Sequence, residues 1–230
     1  MSAPLVSILL PLHPDTAAKP AVLSALAQTW RPLEILAAGS TISAPLRDFC
    51  TAHPEVRTVQ TAPNADPAAA ALDAARGDYL LFLDAGDTLC PDAVATLLTH
   101  LLACRADVCA GQFAVGGHAP AGDGLCRLYT AVPDAALCPD LCRAGGKLYR
   151  REIALQTQFG SGTPLPLTAL PQPVRLALLQ QPLVRTPAAP AQPAKSRQVP
   201  PQYSAALSAS VKFAGNSQIF YPFSVISCIL

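Results

Sequence analysis

Apolar residues occur in short blocks with helically spaced stretches between them. Val6–Leu10, interrupted only by Ser7 and closed by Pro11, predicts a buried strand. Val22, Leu23, Leu26 and Trp30 then recur at helical spacing. Asp15 or Thr16 is placed to cap that helix, which is expected to run to about Trp30. Leu33–Ala38 predicts a second strand followed by a turn at Gly39-Ser40-Thr41, and Val56–Gln60 a third. Pro67–Arg76 is Ala-rich and predicts a helix that Gly77 ends. Tyr79–Leu83 is a continuous apolar run, too short for a helix, and predicts the next strand. Pro91 opens a further helix with Val94, Leu97, Leu98, Leu101 and Leu102 as its apolar stripe.

Strand thus alternates with helix from residue 5 to about 104. This order predicts right-handed crossovers and a mostly parallel sheet flanked by helices, an α/β fold. Ligands of such sheets bind at the carboxyl ends of the strands. Beyond Asp107 the pattern weakens. Val108–Val115 predicts a strand, Gly116–Gly124 a loop, Lys147–Leu155 a strand turning into a helix, and Val174–Leu179 a helix. Pro182–Pro201 reads as a Pro-rich linker or extended arm. Ile219–Leu230 reads as a packed terminal strand. The expected organisation is one domain over 1–181 and a Pro-rich linker with an apolar tail over 182–230.

Charge changes this picture in one respect. All 15 acids lie within residues 1–152, and the only charged residues afterwards are Arg175, Arg185, Lys195, Arg197 and Lys212. Any carboxylate chemistry must therefore come from the first two thirds of the chain. Charged residues make up 13% and the net charge is +1, which argues against a nucleic-acid binder with a broad basic patch. The scattered C-terminal bases favour at most a weak association with an anionic membrane surface. Without a recognisable secretory signal or an apolar stretch of about 20 residues, the expected location is the cytoplasm, at the inner face of the membrane if that surface is used. The eight Cys read as free thiols of a reducing compartment, although Cys138 with Cys142 and Cys104 with Cys109 are each spaced as half a zinc site.

The chemistry concentrates at Asp84-Ala85-Gly86-Asp87, directly after the Tyr79–Leu83 strand. Two carboxylates three apart on a turn can share a Mg²⁺ or Mn²⁺ ion, which then neutralises a diphosphate. Equally, Asp87 or Thr88 can cap the following helix while Asp84 satisfies turn amides. There is no phosphate-loop lysine motif, no dinucleotide glycine fingerprint and no nucleophile elbow. His13 follows the first strand, where a site residue can stand. His53, His100 and His118 are scattered, and His100 reads as a surface residue of a helix.

Taken in order, Val6–Leu12, Leu23–Trp30, Leu33–Leu36, Gly39–Thr41 and Ala74–Asp87 resemble the opening segments of family 2 glycosyltransferases. Lys147–Arg151 is similar to a later segment. The resemblance covers residues 5–104 and, more faintly, 143–155. It implies a GT-A fold that binds a nucleotide-sugar donor, with Mn²⁺ or Mg²⁺ holding the diphosphate and transfer that inverts the anomeric centre. The acceptor would be a saccharide, a lipid or a protein, as in the building of a surface polysaccharide. By this resemblance Asp84 lies near the ribose and metal, and Asp87 is a metal ligand. Pro11, Gly39, Ser40 and Arg76 border the nucleotide. No residue is singled out as the catalytic base.

Three features depart from the family. Ala37 and Ala38 stand where an acid usually contacts the base. Gly86 replaces a frequent Asp, and no acid follows Glu152, where the general base is usual. Losing a base contact is worth about 1–3 kcal/mol, and a general base about 10²–10⁴-fold in rate. These departures lower the expected activity. They also leave open a non-catalytic relative that binds a sugar or a partner transferase.

Overall fold

The computed structural model describes residues 3–13, 17–120, 124–130, 145–156, 170, 173–187 and 226–228. The elements in chain order are β1 (Val6–Pro11), α1 (Lys19–Leu26), β2 (Leu33–Gly39), α2 (Ala44–Thr51), β3 (Val56–Gln60), α3 (Pro67–Ala74), β4 (Tyr79–Phe82) and β5 (Thr88–Leu89). They continue with α4 (Ala93–Ala103), β6 (Val108–Val115), β7 (Cys126–Tyr129), β8 (Lys147–Arg150), α5 (Arg151–Leu155), β9 (Leu176–Thr186) and β10 (Ile226–Cys228).

One ten-stranded sheet runs in the order β10-β7-β9-β6-β8-β4-β1-β2-β3, with β5 attached to β9. The strands β4, β1, β2 and β3 are parallel, as the alternation of strand and helix predicts. Past β4 the sheet is mixed. β8 is antiparallel to both β4 and β6, β6 is parallel to β9, and β7 and β5 are antiparallel to β9.

The apolar runs of β1, β2 and β4 arise because both faces of the sheet are covered. Ile8, Leu10, Ile35 and Leu81 face α1 and α4, which contribute Val22, Ala25, Val94, Leu97 and Leu101. Leu9, Leu36, Leu80 and Phe82 face the other way, with Ala71 and Leu72 of α3 and Ala154 of α5. Chain order runs outward from β1 through β2 to β3, then jumps to β4 on the other side of β1. The direction of winding reverses between β1 and β4, and a crevice at the carboxyl ends of the strands follows from that reversal.

Several elements differ from the expectation. Segment 14–16 lies outside the described residues, and α1 starts at Lys19 with Pro20 in its first turn. It stops at Leu26, because Gln28 is drawn into tertiary bonds: its Nε2 donates to Ser24 O and Cys90 O, and its Oε1 accepts from Val94 N. α4 begins at Ala93 rather than at Pro91, whose carbonyl accepts from Thr29 N. Leu102 points outward, leaving Val94, Leu97, Leu98 and Leu101 as the buried stripe.

The segment expected as a helix over Val174–Leu179 is strand β9, which continues through Pro182 to Thr186. Pairing on both sides, with β6 and with β7 or β5, overrides the local pattern. Pro182 is tolerated because it stands opposite Gln112 at a register shift between β6 and β9, where no ladder N–H is required. The start of the expected Pro-rich arm is therefore part of the sheet. Residues 188–225 lie outside the described residues, and of the apolar end only β10, antiparallel to β7, is described.

Candidate functional site

Parallel pairing brings the carboxyl ends of β1, β2, β3 and β4 to one edge. Pro11 stands opposite Ala38, and Leu12 N donates to Ala38 O at 2.7 Å. The chain leaving β1 crosses Gly39 so closely that a Cβ there would lie 2.9 Å from Leu12 Cβ, which is the local reason for a glycine. Gln60, at the end of β3, donates from Nε2 to Ser40 O at 2.7 Å, and Thr61 N donates to Gly39 O at 3.1 Å. Thr61 Oγ1 is buried beside this turn and makes no hydrogen bond among the described residues. His13 is exposed, one residue beyond Leu12.

The acidic turn occupies the β4 end of the same edge. Leu83 N donates to Leu9 O, which carries the pairing with β1 one residue past β4. Asp87 N then donates to Asp84 O at 2.9 Å and closes the turn. Ala85 anchors the turn in the core, while a Cβ at Gly86 would meet nothing within 4 Å. Asp87 is 2% exposed and Asp84 is half-buried. Together they supply two hard-oxygen donors at one turn. Among the described residues no group of three His, Cys, Asp or Glu is arranged to hold a metal ion. Two carboxylates match the way Mg²⁺ is usually held, with phosphate oxygens and water completing the shell.

β8 completes this corner. Gly146 N donates to Phe82 O at 3.0 Å, and a Cβ at Gly145 would lie 3.3 Å from Asp84 Oδ2. Lys147 is 1% exposed, and its Nζ lies 3.5 Å from Gly145 O. The burial of this ammonium beside Gly145 was not legible in the sequence, where Lys147 opens a strand and a segment that resembles the family. Tyr149, two residues on, packs edge-on to Phe82 with ring centroids 5.8 Å apart. Complete burial raises the pKa of its hydroxyl well above the usual tyrosine value, and that hydroxyl makes no hydrogen bond among the described residues.

Five of the six expected site residues share this edge: Pro11, Gly39, Ser40, Asp84 and Asp87. Arg76 does not. It lies at the amino ends of the strands, and its backbone N–H donates to Glu34 Oε1 at 2.6 Å. Glu34 Oε1 also accepts from Ser7 Oγ at 2.6 Å, and Ser7 Oγ accepts from Gly77 N at 2.8 Å. Arg57 Nη1 pairs with Glu34 Oε2 at 3.2 Å. The Arg76 side chain is exposed there, a strand length from the acidic turn. The family resemblance places Arg76 beside the nucleotide, but the whole of β4 separates it from the acidic turn.

Cys104 and Cys109 do come together, but with Cys126 inside the core. Cys104 Sγ lies 3.7 Å from Cys126 Sγ, and burial, with both neighbouring thiols, pushes the Cys109 thiol well up. Cys50, Cys90, Cys104, Cys109 and Cys126 form no disulfide. Cys138, Cys142, Asp123, Asp134 and Asp140 lie outside the described residues. Among the described residues no helix is long and apolar enough to cross a membrane.

The sequence pattern described as "Glycosyl transferase family 2" matches residues 15–163. No curated protein matches the sequence. The crystal structure of S. aureus TarS 1-349 is similar with a TM-score of 0.64 at 11% identity, covering 80% of this chain and 60% of that one. The same TarS fragment in complex with UDP-GlcNAc is similar with a TM-score of 0.64 at 12% identity, covering 83% and 60%. The chain therefore spans about 60% of that fragment's length, and the likeness carries the fold, a GT-A glycosyltransferase fold. With a family match over residues 15–163, the chain belongs to glycosyl transferase family 2.

Proposed function

We propose that the chain moves a sugar from a nucleotide-sugar donor to an acceptor hydroxyl, with a divalent cation at the acidic turn. The observation that carries this reading is the placement of Asp84 and Asp87 at the β4 end of the edge formed by Pro11, Gly39 and Ser40, where the sheet reverses its winding. The UDP-GlcNAc complex of the structurally similar TarS fragment supports a donor of the same class.

The residues fit the cation by their chemistry. Asp84 and Asp87 would hold Mn²⁺ or Mg²⁺ through hard oxygens, leaving the remaining positions for diphosphate and water. When bound, the ion neutralises the negative charge that grows on the departing diphosphate. The chain's own residues position the donor. Gly39 allows the backbone to approach closely, Ser40 is pinned by Gln60, and the buried Thr61 hydroxyl offers a hydrogen bond that a ribose or base can complete. Pro11 borders the same edge. Arg76, on the opposite edge, has no part in this reading.

A second reading has its own support. Ala37 and Ala38 are fully buried on β2, so the carboxyl end of this strand offers the base no carboxylate, and no acid follows Glu152. A member lacking a general base binds donor without turnover. The test is release of nucleoside diphosphate from UDP-, GDP- and dTDP-sugars with Mn²⁺, in the wild type and Asp87→Asn. Metal-dependent release that Asp87→Asn lowers by at least about a hundredfold, the scale of a lost charged contact, supports transfer. Donor binding with no release from any donor supports the non-catalytic reading.

A further inference from the structure

A cavity of about 390 Å³ opens on the other side of the acidic turn from β1, β2 and β3, lined by Cys90, Ala114, Gly117, Ala119, Pro182 and Arg185. Topology fixes its place. β5 begins at Thr88, directly after Asp87, and pairs with β9 so that Thr88 stands opposite Arg185. β6 runs beside β9 with Ala114 opposite Arg185, and the chain turns back at Gly116, whose N–H donates to Thr186 O. In the sheet, β6 and β9 lie on one side of β4, and β1, β2 and β3 on the other. The acidic turn therefore stands between the donor edge and this cavity.

The cavity wall has a simple chemistry. Ala114, Gly117, Ala119 and Pro182 are small and uncharged, and Arg185 is the one charged residue among the described lining residues. No acid follows Glu152 in the sequence, so the strand that carries Arg185 brings no carboxylate to neutralise it. An arginine fork matches a phosphate or a carboxylate in a bidentate pair.

Building on the donor reading above, we infer that this cavity takes the acceptor and that Arg185 selects an acceptor with an anionic group near its attacking hydroxyl. In a single displacement the acceptor approaches the sugar carbon from the face opposite the leaving diphosphate, and the cavity is the opening that lies across the acidic turn from the donor edge. The acceptor oxygen bonds to the anomeric carbon. The bond from that carbon to the diphosphate oxygen breaks, with its electron pair leaving on the diphosphate. The hydroxyl proton passes to water. Arg185 is a specificity residue here: it holds the anion and touches no reacting atom.

Cys90 gives a readout independent of turnover. It is a partly buried free thiol in the cavity wall, with Sγ 3.6 Å from Pro182 O. Its alkylation by iodoacetamide, followed on the Cys90 peptide by mass spectrometry, reports occupancy. The probes are glycerol 3-phosphate, glycerate and glycerol, which separate phosphate, carboxylate and neutral ligands of similar size. The expected result is protection by one or both anions and none by glycerol. Arg185→Gln then weakens protection by about ten- to a hundredfold, Arg185→Lys keeps part of it, and both variants melt like the wild type because residue 185 is exposed. Equal protection by glycerol, protection that persists in Arg185→Gln, or no protection by either anion overturns the inference. Protection of Cys90 by UDP and Mn²⁺ alone, lost in Arg185→Gln, assigns the cavity to the donor diphosphate and also overturns it. Protection by an anion in a protein that binds no nucleotide supports the anion site while removing the donor reading.

Discussion

The two edges of the parallel strands carry polar residues for opposite purposes. At the amino edge, Glu34, Ser7, Gly77, Arg76 and Arg57 close on one another through hydrogen bonds of 2.6–3.2 Å. Glu34 is 9% exposed, and three donors share its two oxygens. A buried carboxylate with this many donors is a structural joint, because it costs several kcal/mol if left unpaired. At the carboxyl edge the geometry turns outward. Gly39 makes room and Gly86 faces open space. Thr61 keeps a buried hydroxyl without a hydrogen bond among the described residues. One edge uses its polar groups to hold strands together, whereas the other is the edge at which we propose that the donor binds.

The largest test of this contrast uses glycine. A Cβ at Gly77 would lie 2.5 Å from Ser7 Oγ, 2.7 Å from Ser7 N and 2.9 Å from Tyr79 O, and two of these are backbone atoms that cannot swing away. Gly77→Ala is expected to cost about 3 kcal/mol or more. Gly86→Ala, with nothing nearby, should cost within about 0.5 kcal/mol. Denaturant titration of both variants measures the difference. Equal losses would erase the distinction between a closed and an open edge.

A smaller effect sharpens it. Tyr149→Phe and Thr61→Val each remove a buried hydroxyl that makes no hydrogen bond among the described residues. Each is expected to raise stability by about 1 kcal/mol. Only Thr61→Val should also weaken nucleotide binding, because Thr61 borders the Gly39–Ser40 turn while Tyr149 packs against Phe82 within the core. Thermal melts and nucleotide titration of the two variants check this. A loss of affinity in Tyr149→Phe as large as in Thr61→Val would remove the special place of the carboxyl edge.

The legible part of the molecule is the part whose signals are local. β1, β2 and β4 are short apolar runs next to Pro or Gly, and burial on both faces makes such runs unmistakable, whereas β3 buries only Val56. The acidic turn was legible because it follows the clearest of them. β9 was not, since its strand character comes from pairing with β6, β7 and β5 rather than from its own pattern, and Pro182 argued against it. α2 shows too few apolar positions, Leu46, Phe49 and Cys50, to announce a helix. Arg76 was placed by the family resemblance, and the fold sets it a strand length away, before β4 at the amino edge. Antiparallel pairing sets β8 beside β4 and Arg185 opposite Thr88, and neither neighbourhood can be read from the local sequence.

The central claim is that Asp84 and Asp87 hold a cation that in turn holds a nucleoside diphosphate. Its direct test is calorimetric titration with UDP, with and without Mn²⁺, on the wild type and on Asp87→Asn, with GDP and dTDP as alternative nucleotides. Two protein carboxylates alone make an incomplete shell, so Mn²⁺ without nucleotide should bind weakly. Nucleotide should bind only with Mn²⁺, and Asp87→Asn should lower that affinity by about ten- to a hundredfold. Nucleotide affinity that is indifferent to Mn²⁺ and unchanged in Asp87→Asn, or no binding of any of the three nucleotides, would contradict it.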